Sequence, residues 1–227
     1  MTIDKVNAII LDMDGTLVNT EQLWKQAEKD MLNAYDRQYD AIKHAQFLGM
    51  AVHEFIPALQ KVYDLLHIDT KQLENELEDR SAVILREQTA PTDGAVELIQ
   101  YIVDNTISCA IASNSSHKMI RTTLSNQHWL DIIPKRFSSD DVPNAKPAPD
   151  LYLHVAQQLE VQPEDCLAIE DSLTGVRSAT GAGMTCFAVP DHELSNTDAY
   201  RQITPYVFNS LVEVLEFIKT NTMISNN

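Results

Sequence analysis

The chain has 227 residues, 44% hydrophobic and 22% charged, the composition of one large globular domain or a domain with an insert; disordered, collagen-like and coiled-coil chains are excluded. Its 33 Asp and Glu against 17 Lys and Arg give a formal charge of −16, which repels a polyanion and argues against a nucleic-acid partner. No apolar run reaches the ~18 residues of a membrane span, and the opening MTIDKVNAIILDMDG is too short in apolar residues for a secretory signal, so a cytoplasmic protein with no membrane partner is expected.

In chain order, residues 6–13 form an almost wholly apolar run that ends in acidic residues and Gly15, the pattern of a doubly buried parallel strand entering a turn. From residue 21 to about 88 the period is helical. Trp24, Ala27, Met31 and Tyr35 share one face; Val52, Phe55, Ile56, Leu59, Val62, Tyr63 and Leu66 another; Leu73, Leu77 and Ile84 a third. The turn cluster Ala90-Pro91-Thr92-Asp93-Gly94 marks the return, and Ala95, Val96, Ile99, Ile102 and Val103 start a new helix. Short apolar strands are then expected at 107–112, 166–169 and 185–189, with weaker ones at 136–138 and 206–208; a helix with Leu151, Val155 and Leu159 lies among them. Alternation of this kind predicts an α/β fold, a doubly wound parallel (Rossmann-like) sheet with an inserted all-helical cap subdomain. The expected division is 1–17 and 90–220 for the catalytic core, 18–89 for the cap and 221–227 for a flexible tail. Cys109, Cys166 and Cys186 each sit in a separate apolar stretch without metal-ligand spacing and read as reduced, buried thiols. His44, His53, His67 and His117 are scattered and read as surface residues.

Open α/β sheets bind ligands at the carboxyl ends of their strands. The first strand ends in Asp12-Met13-Asp14-Gly15-Thr16, which alone fits a solvated turn as well as a site. Ser113-Asn114-Ser115 end the next strand where a helix begins, as an N-cap, a phosphate site or both. Lys146 is presented from a loop stiffened by Pro147 and Pro149, or is a solvated charge. Glu170 and Asp171 close an apolar run, and adjacent acids there call for a cation. Together these strand ends supply the groups that hold Mg²⁺ beside a phosphoryl group.

DMDGT at 12–16, Ser113-Asn114, Lys146 in KPAPD and Glu170-Asp171 resemble, in order, the four motifs of the haloacid dehalogenase superfamily. LVNTEQLW at 17–24 and FLGM at 47–50 are similar to its helical-cap branch of sugar phosphatases and beta-phosphoglucomutase; Ala145 departs from the glycine that often precedes the lysine. The resemblance implies that Asp12 is the nucleophile and Asp14 the acid and base. Mg²⁺ would lie on Asp12, Asp171, the Asp14 carbonyl and Glu170, with Ser113, Asn114 and Lys146 on the phosphoryl group. Asp14 argues against dehalogenation, since a halide leaves without a proton. Gly49 and Glu21 are candidate substrate contacts from the cap, or an ordinary interhelix turn and a first-turn acid. The expectation is a monomeric Mg²⁺-dependent phosphatase of a small phosphorylated metabolite, most closely a sugar phosphate. A phosphosugar mutase is the alternative, and a non-catalytic binding protein on the same fold the next. Counted from Gly49, the mutase's phosphate-gripping arginine falls at Val52, and its cap-hinge histidine at Trp24. Both residues are expected on apolar helix faces.

Overall fold

The computed structural model describes residues 3–44, 47, 49–191 and 197–224. Five parallel strands form the main sheet in the order β4-β3-β2-β5-β6: β2 is Ala8–Leu11, β3 Ser108–Ser113, β4 Arg136–Ser138, β5 Cys166–Glu170 and β6 Thr185–Ala188. Side-chain alternation along β2 explains why the sheet is covered on both faces. Ile9 and Leu11 pack with Leu98, Ile99, Ile102 and Val214, from α5 (Ala95–Asp104) and α11 (Leu211–Asn221). Ala8 and Ile10 point the other way, into Leu151, Tyr152, Val155 and Val176 of α8 (Asp150–Leu159) and α9 (Leu173–Gly181). Register then sets the site: Leu11 lies opposite Ile111 on one side and Ile169 on the other. Three strands therefore end at nearly one level, and the residues after them share one crevice.

Between β2 and α5 lie the helices α1 (Glu21–Ala34), α2 (Ala41–His44), α3 (Val52–Val62) and α4 (Thr70–Gln88). Ala27, Met31, Leu32, Ile56, Leu59, Leu73 and Leu77 give them a core of their own. The chain crosses to these helices and back through an antiparallel bridge between Val18 and Pro91, with the Asn19 N–H bonded to the Ala90 carbonyl at 2.9 Å.

Several expectations are corrected in detail. The strand expected within residues 6–13 is β2 alone, Ala8–Leu11; a further strand, β1 (Ile3–Val6), ends where that run begins and pairs in parallel with β7 (Thr222–Ile224). Residues 222–224 thus belong to a strand and not to a flexible tail. Residues 206–208 make a single bridge, Ala188 to Val207, because the Tyr206 carbonyl and the Phe208 N–H are spent on the end of β6. Leu66, Val96 and Val103 keep to the helical period but face solvent at the edge of their stripes. His44 is only 5% exposed, because Tyr39, Phe47, Phe55 and Tyr63 surround its ring. Cys166 and Cys186 are buried free thiols, while Cys109 is half-buried. Among the described residues no helix is long and apolar enough to cross a membrane.

Candidate active site

Asp12 is the first residue past β2, and its backbone N–H still bonds the Ile169 carbonyl at 3.0 Å, which fixes its side chain at the mouth of the sheet. Gly15 makes the following turn possible: its φ is +85°, and a Cβ there would strike the Asp171 carboxylate. Thr16 Oγ1 donates to Asp171 Oδ1 at 3.2 Å and ties the two loops together.

Lys146 is the electrostatic centre. Its ammonium donates to Asp12 Oδ1 and to Glu170 Oε1, each at 2.6 Å, and to the Ala112 carbonyl at 2.7 Å. All three donors of the ammonium are thereby used while the residue is 2% exposed. Tyr152 donates to the same Glu170 oxygen at 2.7 Å, and its ring lies 5.1 Å from the ammonium. Burial opposes charge on Lys146, but Asp12 and Glu170 outweigh it and hold the ammonium above its usual range. Burial, with Glu170 beside it, pushes the Asp12 carboxyl up to about 8 despite the pull of Lys146. Burial followed by Asp12 and Glu170 raises Asp171 well above the carboxylate range.

Oxygens of Asp12, Glu170 and Asp171 lie within 4.8 Å of one another. Two of these carboxyls bond one buried ammonium, the third lies beside them, and all the donor atoms are oxygen. This set fits a hard divalent cation such as Mg²⁺, which takes oxygen ligands and keeps several waters. Glu170 is the most encumbered member, since Lys146, Tyr152 and, at 3.3 Å, Ser172 already bond it.

Asp14 lives in a different environment. Its Oδ1 accepts from Thr20 Oγ1 at 2.8 Å and from the Trp24 indole N–H at 3.1 Å. Its Oδ2 accepts from Ser115 Oγ at 2.8 Å and from Ser113 Oγ at 3.3 Å. Trp24 is thus not a purely apolar residue of α1. The sequence pattern had no means of separating its ring, which packs, from its N–H, which points into the crevice. Thr20 was missed, its signal being its position at the hinge; Ser115 was read as part of the polar strand end, but not as a donor to Asp14. The helix after β3 begins later than expected, since α6 (His117–Leu124) is capped by Ser116 through the Met119 N–H. That leaves Asn114 and Ser115 in a turn after the end of β3, facing the crevice.

Asn114 positions two loops. Its amide bonds the Lys146 N–H at 3.0 Å and the Lys146 carbonyl at 3.2 Å, and reaches the Gly49 carbonyl at 2.8 Å. Gly49 has φ +76°, and a side chain there would meet Thr174; Leu48 of the FLGM run lies outside the described residues. Glu21 is half-buried in the cavity wall, and burial and then Asp191 raise its carboxyl above the usual range. The cavity between the helices and the strand ends has a volume of about 640 Å³. The structure brings Asp12, Asp14, Ser113, Asn114, Lys146, Asp171, Gly49 and Glu21 to its wall, with Glu170 directly behind Lys146.

A buried lysine bridging two carboxylates, at the strand ends of a doubly wound sheet and beneath a helical insert, defines a hydrolase class. The model of the haloacid dehalogenase-like hydrolases matches residues 9–189, and the chain belongs to this family. It is 26% identical over 218 residues to a phosphorylated carbohydrates phosphatase of Thermotoga maritima, covering 94% of this chain and 99% of that one. It is 30% identical over 210 residues to a bifunctional riboflavin kinase/FMN phosphatase of Arabidopsis thaliana; this is 92% of this chain, which spans only 54% of that longer relative. The crystal structure of CbbY from Rhodobacter sphaeroides in complex with phosphate superposes with a TM-score of 0.84 at 26% identity, covering 92% and 96% of the two chains.

Proposed function

We propose that the chain is a Mg²⁺-dependent phosphatase of a small phosphate monoester, a sugar or polyol phosphate, working through an aspartyl phosphate. The observation that carries this is the contrast between two aspartates two residues apart. Asp12 is paired with a buried ammonium among other carboxylates, while Asp14 is held by four neutral donors. Two carboxyls in unlike environments suit two unlike roles.

In this reading an Asp12 oxygen forms a bond to phosphorus as the ester P–O bond breaks, and Asp14 gives a proton to the departing alcohol oxygen. Water then attacks the aspartyl phosphate, Asp14 takes its proton, and inorganic phosphate leaves. Lys146 offsets the repulsion between Asp12 and the incoming phosphoryl oxygens, and Ser113 with the turn at 114–115 offers donors to them. Asp12 and Asp171, with Glu170 close by, would hold Mg²⁺, which supplies further charge neutralisation when bound. Residues 18–89 act as a cap on a core of 1–17 and 90–220, and the Asn114–Gly49 hydrogen bond is one tie between them. The name of the Thermotoga relative supports the carbohydrate substrate class. Release of inorganic phosphate from p-nitrophenyl phosphate and a set of phosphorylated sugars and polyols, with Mg²⁺ present, is the test; inertness toward all of them overturns the reading.

A further inference from the structure

On α1, Glu21, Trp24, Lys25 and Glu28 recur at i, i+3, i+4 and i+7, so one stripe of the helix faces the cavity. Trp24 stands at the foot of this stripe on Asp14, and Glu28 is one turn, ~6 Å, further along. Glu28 lies beside a buried imidazole. His44 Nε2 lies 3.2 Å from its Oε2, and the other ring nitrogen of His44 meets the Tyr63 hydroxyl at 2.9 Å. That hydroxyl in turn accepts the Asp40 N–H at 3.1 Å. A buried imidazole, anchored in an aromatic cluster, thus stands beside a carboxylate at the cavity wall, close to it but without hydrogen-bond geometry.

The charges beyond Asp14 are unbalanced. Glu21, Glu28 and Asp191 line that region against Lys25 and His44, and no arginine is among the described lining residues. Lys146 cannot serve a distal group because Asp12, Glu170 and Ala112 occupy its donors. Carboxylates on the wall accept hydrogen bonds and repel anions, and the apolar rings of Trp24, Phe47 and Phe55 suit C–H faces between them.

We propose that this part of the cavity, built on Glu21, Glu28 and His44, selects the uncharged hydroxyl-bearing tail of a phosphate monoester and rejects a tail with a second negative charge. The inference rests on the phosphatase reading and names the substrate class for it. Glucitol 6-phosphate and 6-phosphogluconate test it, because they differ only in carrying a hydroxymethyl or a carboxylate at C1. The expected kcat/KM is at least about tenfold higher for the glucitol ester, the size of a like-charge contact at ~6 Å in a solvent-accessible site. Glu28→Gln and Glu21→Gln should each narrow that ratio at least about threefold by improving the acid. Equal rates for the two esters, or a ratio unmoved in both variants, overturn the proposal. Calorimetric binding of both esters to Asp12→Asn protein separates the pocket from the chemistry. Tighter binding of the glucitol ester by an enzyme inert in its wild-type form supports the pocket and sinks the phosphatase; equal binding sinks the pocket.

Discussion

The Trp24 indole donates to Asp14 Oδ1 across 3.1 Å, so a residue of the helical insert orients a side chain of the sheet crevice. Thr20, 2.8 Å from the same oxygen, stands just before α1 and does the same. If Asp14 exchanges protons with the leaving oxygen, the aim of its carboxyl depends on how the insert sits on the core. Trp24→Phe keeps an aromatic ring, though a smaller one, and removes the donor. A hydrogen bond to a charged group is worth ~1.5–3 kcal/mol, so kcat should fall at least about tenfold with KM changing far less. Steady-state kinetics decide it: a rise in KM alone would make Trp24 a binding residue only.

Asp12→Asn and Asp14→Asn should each retain less than about a hundredth of wild-type turnover while folding normally, because amide for carboxylate changes little volume. The variants should differ in kind. Asp12→Asn leaves Lys146 with Glu170 as its remaining carboxylate partner and forms no phosphoenzyme, whereas Asp14→Asn leaves the nucleophile in place. With an activated ester such as p-nitrophenyl phosphate, whose leaving group needs no proton, Asp14→Asn should still label with phosphate and Asp12→Asn should not. Mass spectrometry of acid-quenched protein reads the difference; labelling of Asp12→Asn at another residue would remove Asp12 as nucleophile.

The strand ends were legible because each is a short apolar run halted by polar residues; the roles of Asp12, Ser113 and Glu170 needed the four strand ends taken together and the family resemblance. The parallel register then brings them together, as continuous apolar strands alternating with helices imply. What stayed hidden depended on contacts across long sequence separations. His44 reads as a surface residue in a polar stretch, yet rings from Tyr39 to Tyr63 close around it. The β1–β7 pair joins the two ends of the chain, and no local pattern announces such a partner. Glu170 was expected as a metal ligand, but its bonds to Lys146 and Tyr152 come from two other elements.

Metal removal gives a sharper test than its effect on rate alone. Chelator should abolish turnover and Mg²⁺ restore it. Ca²⁺ should inhibit, since its longer bonds and larger coordination number draw a second oxygen of Asp12 away from its line of attack. The three clustered carboxyls also predict that bound Mg²⁺ raises the melting temperature by relieving their repulsion, and that Asp171→Asn weakens this rise. Thermal melts with and without Mg²⁺ read the shift, and undiminished activity in excess chelator would sink the metal assignment.

Gly175 tests the buried ion cluster without touching a charged residue. It lies in the first turn of α9, and a Cβ there would land on the Glu170 carboxylate. Glu170 is fully buried and cannot retreat without loosening Lys146 and Tyr152. Gly175→Ala should therefore destabilise the fold by about 1–3 kcal/mol, despite the gain in helix propensity, and lower kcat as Lys146 shifts. Denaturant unfolding beside kinetics checks both, and a more stable, fully active variant would show that the cluster has room to move.

The remaining question is hydrolysis against isomerisation, which the cap decides. A mutase must keep its phosphoenzyme from water and hold a bisphosphate at both ends, and the second grip needs a cation with several donors. Val52 stands where the resembling mutase has its arginine, and it is half-buried on the cavity wall at the start of α3. Lys25 is the cap's ammonium on this wall, set between Glu21 and Glu28 on its own helix, so a second phosphate would meet two carboxylates there. Trp24 occupies the position of the mutase's hinge histidine, and its indole can donate to Asp14 but cannot carry a proton to or from it. Hydrolysis is the outcome these residues support. With a hexose 1-phosphate and a trace of the 1,6-bisphosphate, inorganic phosphate should be released in step with loss of the ester, and little hexose 6-phosphate should build up. Accumulation of the 6-phosphate without matching phosphate release would favour the mutase, and some other part of the cap would then have to supply the second grip.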